Sequence, residues 1–119
     1  MKNTIIIKKN YEFKRFFSRG KFFYGDTINM YIHKTKSSVN KLGIAVSKKQ
    51  GKAVNRNRLK RLIRENYKNF EDKIGVGNNI IILVGTHKNP KEIDFYDIKK
   101  DCEKIFSKAG LLDDKKVTD

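Results

Sequence analysis

Apolar positions change their period several times along the chain. Phe13, Phe16 and Phe17 follow Asn10, a good N-cap residue, at helical spacing, and Gly20 stops the turn. This predicts a short helix over Tyr11–Arg19. Phe22–Tyr24 reads as a short strand. Thr27–Lys34 then alternates, with Ile28, Met30 and Ile32 on one face and Asn29, Tyr31 and His33 on the other, the pattern of a half-buried strand. Ser37, Ser38 and Asn40 mark a turn before a further strand, Leu42–Ser47. So short a connection predicts that these two strands pair as an antiparallel hairpin.

Gly51 interrupts, and Ala53–Phe70 predicts a long helix. Its Leu59, Leu62, Ile63, Tyr67 and Phe70 form one apolar stripe able to dock on a sheet. Gly75 and Gly77 end it. Asn79–Gly85 is a continuous β-branched run, as in a strand buried on both faces. Asn89-Pro90 turns the chain, and Asp94 caps a last helix reaching about Ala109, with Phe95, Ile98, Cys102, Ile105 and Phe106 as its stripe. Cys102 lies on that packing face and reads as a structural thiol. The order αβββαβα predicts an α+β sandwich: helices on a mixed sheet of about four strands. Leu42–Ser47 and Asn79–Gly85, joined by the long helix, form its parallel pair. The 119 residues fit a single domain, 1–119, with 113–119 as a flexible tail.

Charge sharpens this picture. The formal net charge is +15, and residues 1–70 carry 19 Lys and Arg against three acids, Glu12, Asp26 and Glu65. Residues 71–119 are balanced, with nine Lys and ten acids. A surface tuned only for solubility would spread its charge more evenly. The asymmetry instead points to a polyanionic partner for the first part of the chain. One cysteine cannot form an internal disulfide, and with two histidines it falls short of a zinc site. The runs Ile5–Ile7 and Ile80–Val84 are far shorter than the ~20 residues that span a bilayer. A soluble, cytoplasmic protein without a membrane partner is the expectation.

The densest information lies in Gly51–Glu65. On a helical wheel Asn57, Arg61, Arg64 and Lys68 lie opposite the apolar stripe, with Lys60 at its flank. Like charges at Arg58/Arg61 and Lys60/Arg64 each cost roughly 0.2–0.5 kcal/mol, and only Arg61 with Glu65 offers a clear i, i+4 relief. A helix kept for stability alone would carry more acids. Arginine also dominates here, and its guanidinium fork suits phosphates and base edges better than an ammonium does. Composition and spacing thus lead to an RNA- or DNA-binding α+β domain.

Ser47-Lys48-Lys49, Gly51, Ala53-Val54 and then Arg56-Asn57-Arg58-Leu59-Lys60-Arg61-Leu62-Ile63-Arg64-Glu65 closely resemble the signature of the bacterial ribonuclease P protein component. The resemblance extends to Asn10, Phe13, Phe17 and Gly20, to Lys41-Leu42-Gly43 and to the Ile80–Val84 strand. It covers almost the whole chain and loosens towards the C-terminus, where Leu112 has no assignable counterpart. It implies the small subunit of a ribonucleoprotein that removes the 5′ leader from precursor transfer RNA. Catalysis would belong to the large RNA subunit and the Mg2+ it holds, with no catalytic or metal-binding residue in the protein. The partners implied are that catalytic RNA, most simply 1:1, and precursor transfer RNA.

The resemblance further implies that Lys48, Lys49, Lys52, Arg56, Asn57, Arg58, Lys60, Arg61, Arg64 and Lys68 face the catalytic RNA. A cleft between the first helix and the sheet would receive the single-stranded leader, with Phe13 and Phe17 on its aromatic positions and Tyr31 on the cleft-facing strand. Ala45 stands where other members can have serine, so a hydroxyl contact there is absent. The resemblance also implies a left-handed βαβ crossover, whereas physical priors choose the right-handed connection in about 98% of cases.

Aromatics beside a basic groove suit single strands, because every base offers a face to stack on. From spacing alone, Phe13, Phe16 and Phe17 could equally be core, and Tyr31 a half-exposed strand residue. A protein nuclease would need an acid and a base or clustered carboxylates. The basic half has three scattered acids, and His33 and His87 lie on different elements. A ribosomal or generic RNA-binding scaffold shares the composition but not the long Arg56–Glu65 match.

Overall fold

A computed structural model of the protein describes residues 2–85 and 88–112; His87 and the expected tail 113–119 lie outside them. The element order is β1 (Thr4–Ile6), α1 (Asn10–Arg19), β2 (Lys21–Phe23), β3 (Ile28–Lys34), β4 (Asn40–Ala45), α2 (Ala53–Ile74), β5 (Asn78–Val84) and α3 (Phe95–Lys108). Short 3-10 turns at Lys48–Gln50 and Pro90–Glu92 precede α2 and α3. The sheet order is β1-β4-β5-β3-β2. β4 runs parallel to both β1 and β5, while β3 is antiparallel to β5 and β2. The fold class is therefore α+β with a mixed sheet, as the sequence predicts, but with five strands rather than about four.

Two expectations are corrected. β1 adds an edge strand that a three-residue apolar run without alternation does not announce. The hairpin between β3 and β4 does not form, because β5 lies between them. The physical reason is burial: Ile80, Ile81 and Ile82 are all fully buried, so both faces of β5 need cover and both edges need partners. A strand of that composition takes the centre and separates the neighbours in sequence.

The sheet buries each face against different helices. Ile28, Met30, Ile32, Leu42, Ile80 and Ile82 meet Leu59, Ile63, Tyr67 and Phe70 of α2 and Ile98, Cys102, Ile105 and Phe106 of α3 in the main core. Leu62, expected in the α2 stripe, is only partly buried at its edge, and Asn66 is buried instead, donating to the carbonyls of Leu62 and Phe95. The opposite face carries Ile81, which packs with Ile7 and with Phe16 of α1. α1 begins one residue earlier than expected. The amides of Glu12 and Phe13 reach the carbonyl of Lys9, which takes the N-cap place without a side-chain bond, so Asn10 is helical. α3 starts as expected at Asp94, which forms a reciprocal capping box with Asp97.

Two buried carboxylates tie distant segments to the core. Asp101 of α3 accepts the backbone N–H groups of Asp26, Thr27 and Ile28 at 3.1, 2.6 and 2.9 Å, fixing the connection between β2 and β3. Glu71 of α2 accepts the amides of Lys2 and Asn3 at 3.2 and 3.3 Å and the hydroxyl of Thr4, holding β1 at the sheet edge. The Thr4 hydroxyl also lies 2.8 Å from that of Tyr67.

Candidate nucleic-acid interface

The chain leaves β4 through the 3-10 turn at Lys48–Gln50 and enters α2 after Gly51, whose φ of +107° lies in the left-handed region that favours glycine. Burial of its apolar stripe sets the phase of α2. Leu59 and Ile63 face the sheet and are fully buried, so Asn57, Arg61, Arg64 and Lys68 face solvent, as the wheel predicts. Lys48, Lys49 and Lys52 are exposed in the turn and at the head of the helix. Lys60 and Arg56 are half-buried.

Arg58 is half-buried too, and one arm of its guanidinium donates to the carbonyl of Ile93. It lines a depression at the head of α2 with Lys49, Lys52 and Lys91, and also braces α2 against the segment before α3. The first turn of α2 holds no acid. Among the described residues the one ion pair is Lys88–Asp97, at 2.7 Å, so the expected relief of Arg61 by Glu65 is not made. The exposed cations of the block face water without carboxylates against them, an arrangement that repels itself and attracts a polyanion.

The second predicted group lies across the sheet. Strand alternation puts Tyr31 on the face covered by α1, beside Ile81, while Phe13 and Phe17 reach down from α1 and are half-buried around Phe16. Phe17 and Tyr31 meet edge to face, with ring centroids 4.9 Å apart, and Phe13 lies 6.4 Å from Phe17. Phe16 is the core residue of the three, 6% exposed. The alternatives left open by spacing thus divide: Phe16 fills the core, and Phe13, Phe17 and Tyr31 form a partly open aromatic wall.

α2 and this wall are on opposite sides of the sheet, and Leu83 lies between the wall's cluster and the flank of α2. Leu83 packs against the Phe16 cluster and also lines a depression with Ala45, Ser47, Lys49 and Lys60. Leu83 thus links the cation-lined depression to the cluster on which the rings pack, and cations near exposed aromatics suit a single-stranded nucleic acid.

Two further aromatics join the wall that sequence reasoning did not place there. Phe22 pairs in register with Tyr31, their rings 4.7 Å apart, and Tyr24 lies 4.5 Å from Phe22. The alternation of β3 is visible in the sequence, but β2 is too short for its own facing to be read; only the pairing register reveals it. Among the described residues no group of three or more His, Cys, Asp or Glu could hold a metal ion. No helix among them is long and apolar enough to cross a membrane. Cys102 is buried in the main core, and burial pushes its thiol up to about 12, keeping it protonated and unreactive.

Comparison with known proteins adds family evidence. The model of the family Ribonuclease P matches residues 1–110. The ribonuclease P protein component of Clostridium botulinum (strain Loch Maree / Type A3) is 38% identical over 106 residues, 88% of this chain and 94% of the relative. That of Clostridium acetobutylicum is 38% identical over 116 residues, 94% and 96% of the two chains. Among solved structures, the Staphylococcus aureus RNase P protein superposes with a TM-score of 0.78 at 31% identity, covering 91% of this chain and 97% of that one. The Thermotoga maritima RNase P protein shares the fold, with a TM-score of 0.77 at 24% identity over 87% and 96% of the chains.

Proposed function

The chain belongs to the ribonuclease P protein component family, and from that premise we propose that it is the protein subunit of a cytoplasmic ribonucleoprotein that cleaves the 5′ leader from precursor transfer RNA. In this reading the exposed cations Lys48, Lys49, Lys52, Arg61, Arg64 and Lys68, with Arg56, Asn57, Arg58 and Lys60, face the catalytic RNA. The leader lies along Phe13, Phe17 and Tyr31. The chemistry, and the Mg2+ it requires, belong to the RNA subunit. The protein's task is binding: it offsets phosphate repulsion between two RNAs and adds stacking contacts that only the precursor can make.

The observation that supports this reading is the double placement of Leu83, which packs on the same Phe16 cluster as Phe13, Phe17 and Tyr31 and also lines the depression with Lys49 and Lys60. In this reading a strand passes from the cations over Leu83 onto the rings. A cleavage assay of precursor transfer RNA with a bacterial catalytic RNA, at near-physiological magnesium, tests it. Adding this chain, 1:1 with the RNA, should raise cleavage, and the chain alone should cleave nothing. Cleavage by the purified chain, or no stimulation together with no binding, would overturn the reading.

A further inference from the structure

β2 is three residues long and lies at the outer edge of the sheet, beside β3. Phe23 turns into the main core, so Phe22 faces the other way, onto Tyr31. A strand at a sheet edge is normally kept polar on its open face. Here the open side carries Phe22 and is followed by Tyr24, which is 70% exposed. The Phe22 and Tyr24 planes are 90° apart, edge to face. In such a pair only one of the four ring faces is covered by the other ring, so the contact fixes the rings while leaving faces free.

The rings form one unbroken line: Phe13, Phe17, Tyr31, Phe22, Tyr24, with successive centroids 6.4, 4.9, 4.7 and 4.5 Å apart. These steps exceed the roughly 3.4 Å rise of stacked bases, so they suit a strand whose bases are splayed onto individual rings rather than stacked on each other. A cation attends the second half of the line as well. Arg19 is exposed and precedes Gly20, which packs so closely on β3 that a Cβ there would lie 3.1 Å from that of Tyr31, whereas Lys21 turns to the other face, its Nζ 5.7 Å from the centre of the Phe23 ring.

We propose that Phe22 and Tyr24 form an additional base-stacking subsite, which takes single-stranded RNA of the leader beyond the nucleotides that face Phe17 and Tyr31. The inference rests on the functional reading above and lengthens its site. Arg19 holds a phosphate of the strand as it passes from Tyr31 to Phe22. Tyr24 supplies a ring face rather than a hydrogen bond, so Tyr24→Phe preserves the subsite and Tyr24→Ala removes it.

The test uses the reconstituted holoenzyme and precursor transfer RNAs whose leaders are shortened one nucleotide at a time. Wild type, Tyr24→Ala, Tyr24→Phe and Phe22→Leu are compared, each first shown to unfold in a native-like transition. Affinity of the wild type should rise with leader length and then level off. Tyr24→Ala should level off at a shorter leader and bind the longest one roughly 5- to 150-fold more weakly, while matching wild type on the shortest. Tyr24→Phe should follow wild type, and Phe22→Leu should follow Tyr24→Ala. If wild type depends on leader length and Tyr24→Ala traces the same curve, the subsite is overturned and the functional reading stands. An equal loss at every length, mature transfer RNA included, overturns the subsite too. If wild type shows no dependence on leader length, the leader-cleft reading falls and the subsite with it.

Discussion

The ring of Phe13 occupies the space directly above Gly43: a Cβ placed on that glycine would come within 2.7 Å of the ring. Gly43 is buried in β4 beside Ile81, so the sheet is hollowed at the point where α1 sets an aromatic ring on it. A methyl group there cannot fit beneath Phe13 as it stands. The ring is half-buried, and the clash falls on its far end, Cε1 and Cζ, the part of the side chain that yields most readily. Gly43→Ala should therefore cost little stability while weakening binding of precursor transfer RNA relative to mature transfer RNA. Denaturant unfolding and the two affinities measured side by side check this; a large stability loss with unchanged discrimination would contradict it.

The outward face of α2 makes a different prediction. Arg61 and Arg64 are exposed and take no part in the core, so Arg61→Ala with Arg64→Ala should leave the unfolding transition intact. Affinity for the catalytic RNA should fall. The slope of log K against log[salt] should also flatten, by about 0.7–0.9 for each phosphate no longer neutralised. Titration at several salt concentrations reads both effects, and an unchanged slope with unchanged affinity would place the RNA surface elsewhere.

The inward face should respond in the opposite way. Ile63 is fully buried, and Ile63→Asp would bury a carboxylate without a partner, a cost of several kcal/mol against the roughly 5–15 kcal/mol that holds a small domain together. Cooperative unfolding should be lost at 37 °C. Leu62→Asp, at the partly open edge of the stripe, should be milder. Circular dichroism melts of the two variants distinguish these positions.

Glu71 couples the first strand to pH. Burial works to raise its pKa, but the hydroxyl of Thr4 and the amides of Asn3 and Lys2 outweigh it, and the carboxyl titrates below its ordinary value. Folding therefore favours the charged form. Its contribution is complete above the ordinary glutamate value of about 4.3 and is lost as pH falls through the lower folded value. Amides of Thr4–Ile6 should lose hydrogen-exchange protection in that acid range ahead of those in β5. In Glu71→Gln their protection should be weaker at neutral pH and flat across the same range.

Asp101 offers a further measurement. Its carboxylate is the acceptor for three backbone N–H groups, two of them on the buried residues Thr27 and Ile28. Asp101→Ala strands those donors, each at about 1–3 kcal/mol. Chemical denaturation should show a loss of a few kcal/mol.

Periodicity made α2 and α3 legible, because an apolar stripe over about three turns can phase a helix without outside help. The cationic face followed from the same phase: once Leu59 and Ile63 are inward, Arg61 and Arg64 have nowhere else to point. Tyr31 was legible for the analogous reason in a strand. Pairing was not. A strand's partner depends on edges that no single segment displays, and the nearest neighbour in sequence, β4, was the wrong one for β3. The signal that β5 belongs between them was present in Ile80, Ile81 and Ile82, whose unbroken apolarity demands a central place. Thr4–Ile6 is held from outside, by Glu71 and by the edge of β4, and so carries little pattern of its own. The extension of the aromatic wall to Phe22 follows from register, which periodicity alone does not set.

The central position of β5 also decides when the molecule can become whole. A chain emerging from the ribosome presents β1 through α2 first, at about 5–20 residues per second, and β5 only afterwards. Until Asn78–Val84 arrives, β1 with β4 and β2 with β3 are two separate pieces with no shared edge. Every cation of the α2 block is already synthesised at that stage, whereas the floor under the rings, Ile81 and Leu83, is not. The sheet closes by long-range pairing on both sides of one late strand, the kind of pairing that slows folding. The cationic block is thus present in the nascent chain before the floor of the aromatic wall exists, and one strand joins the two.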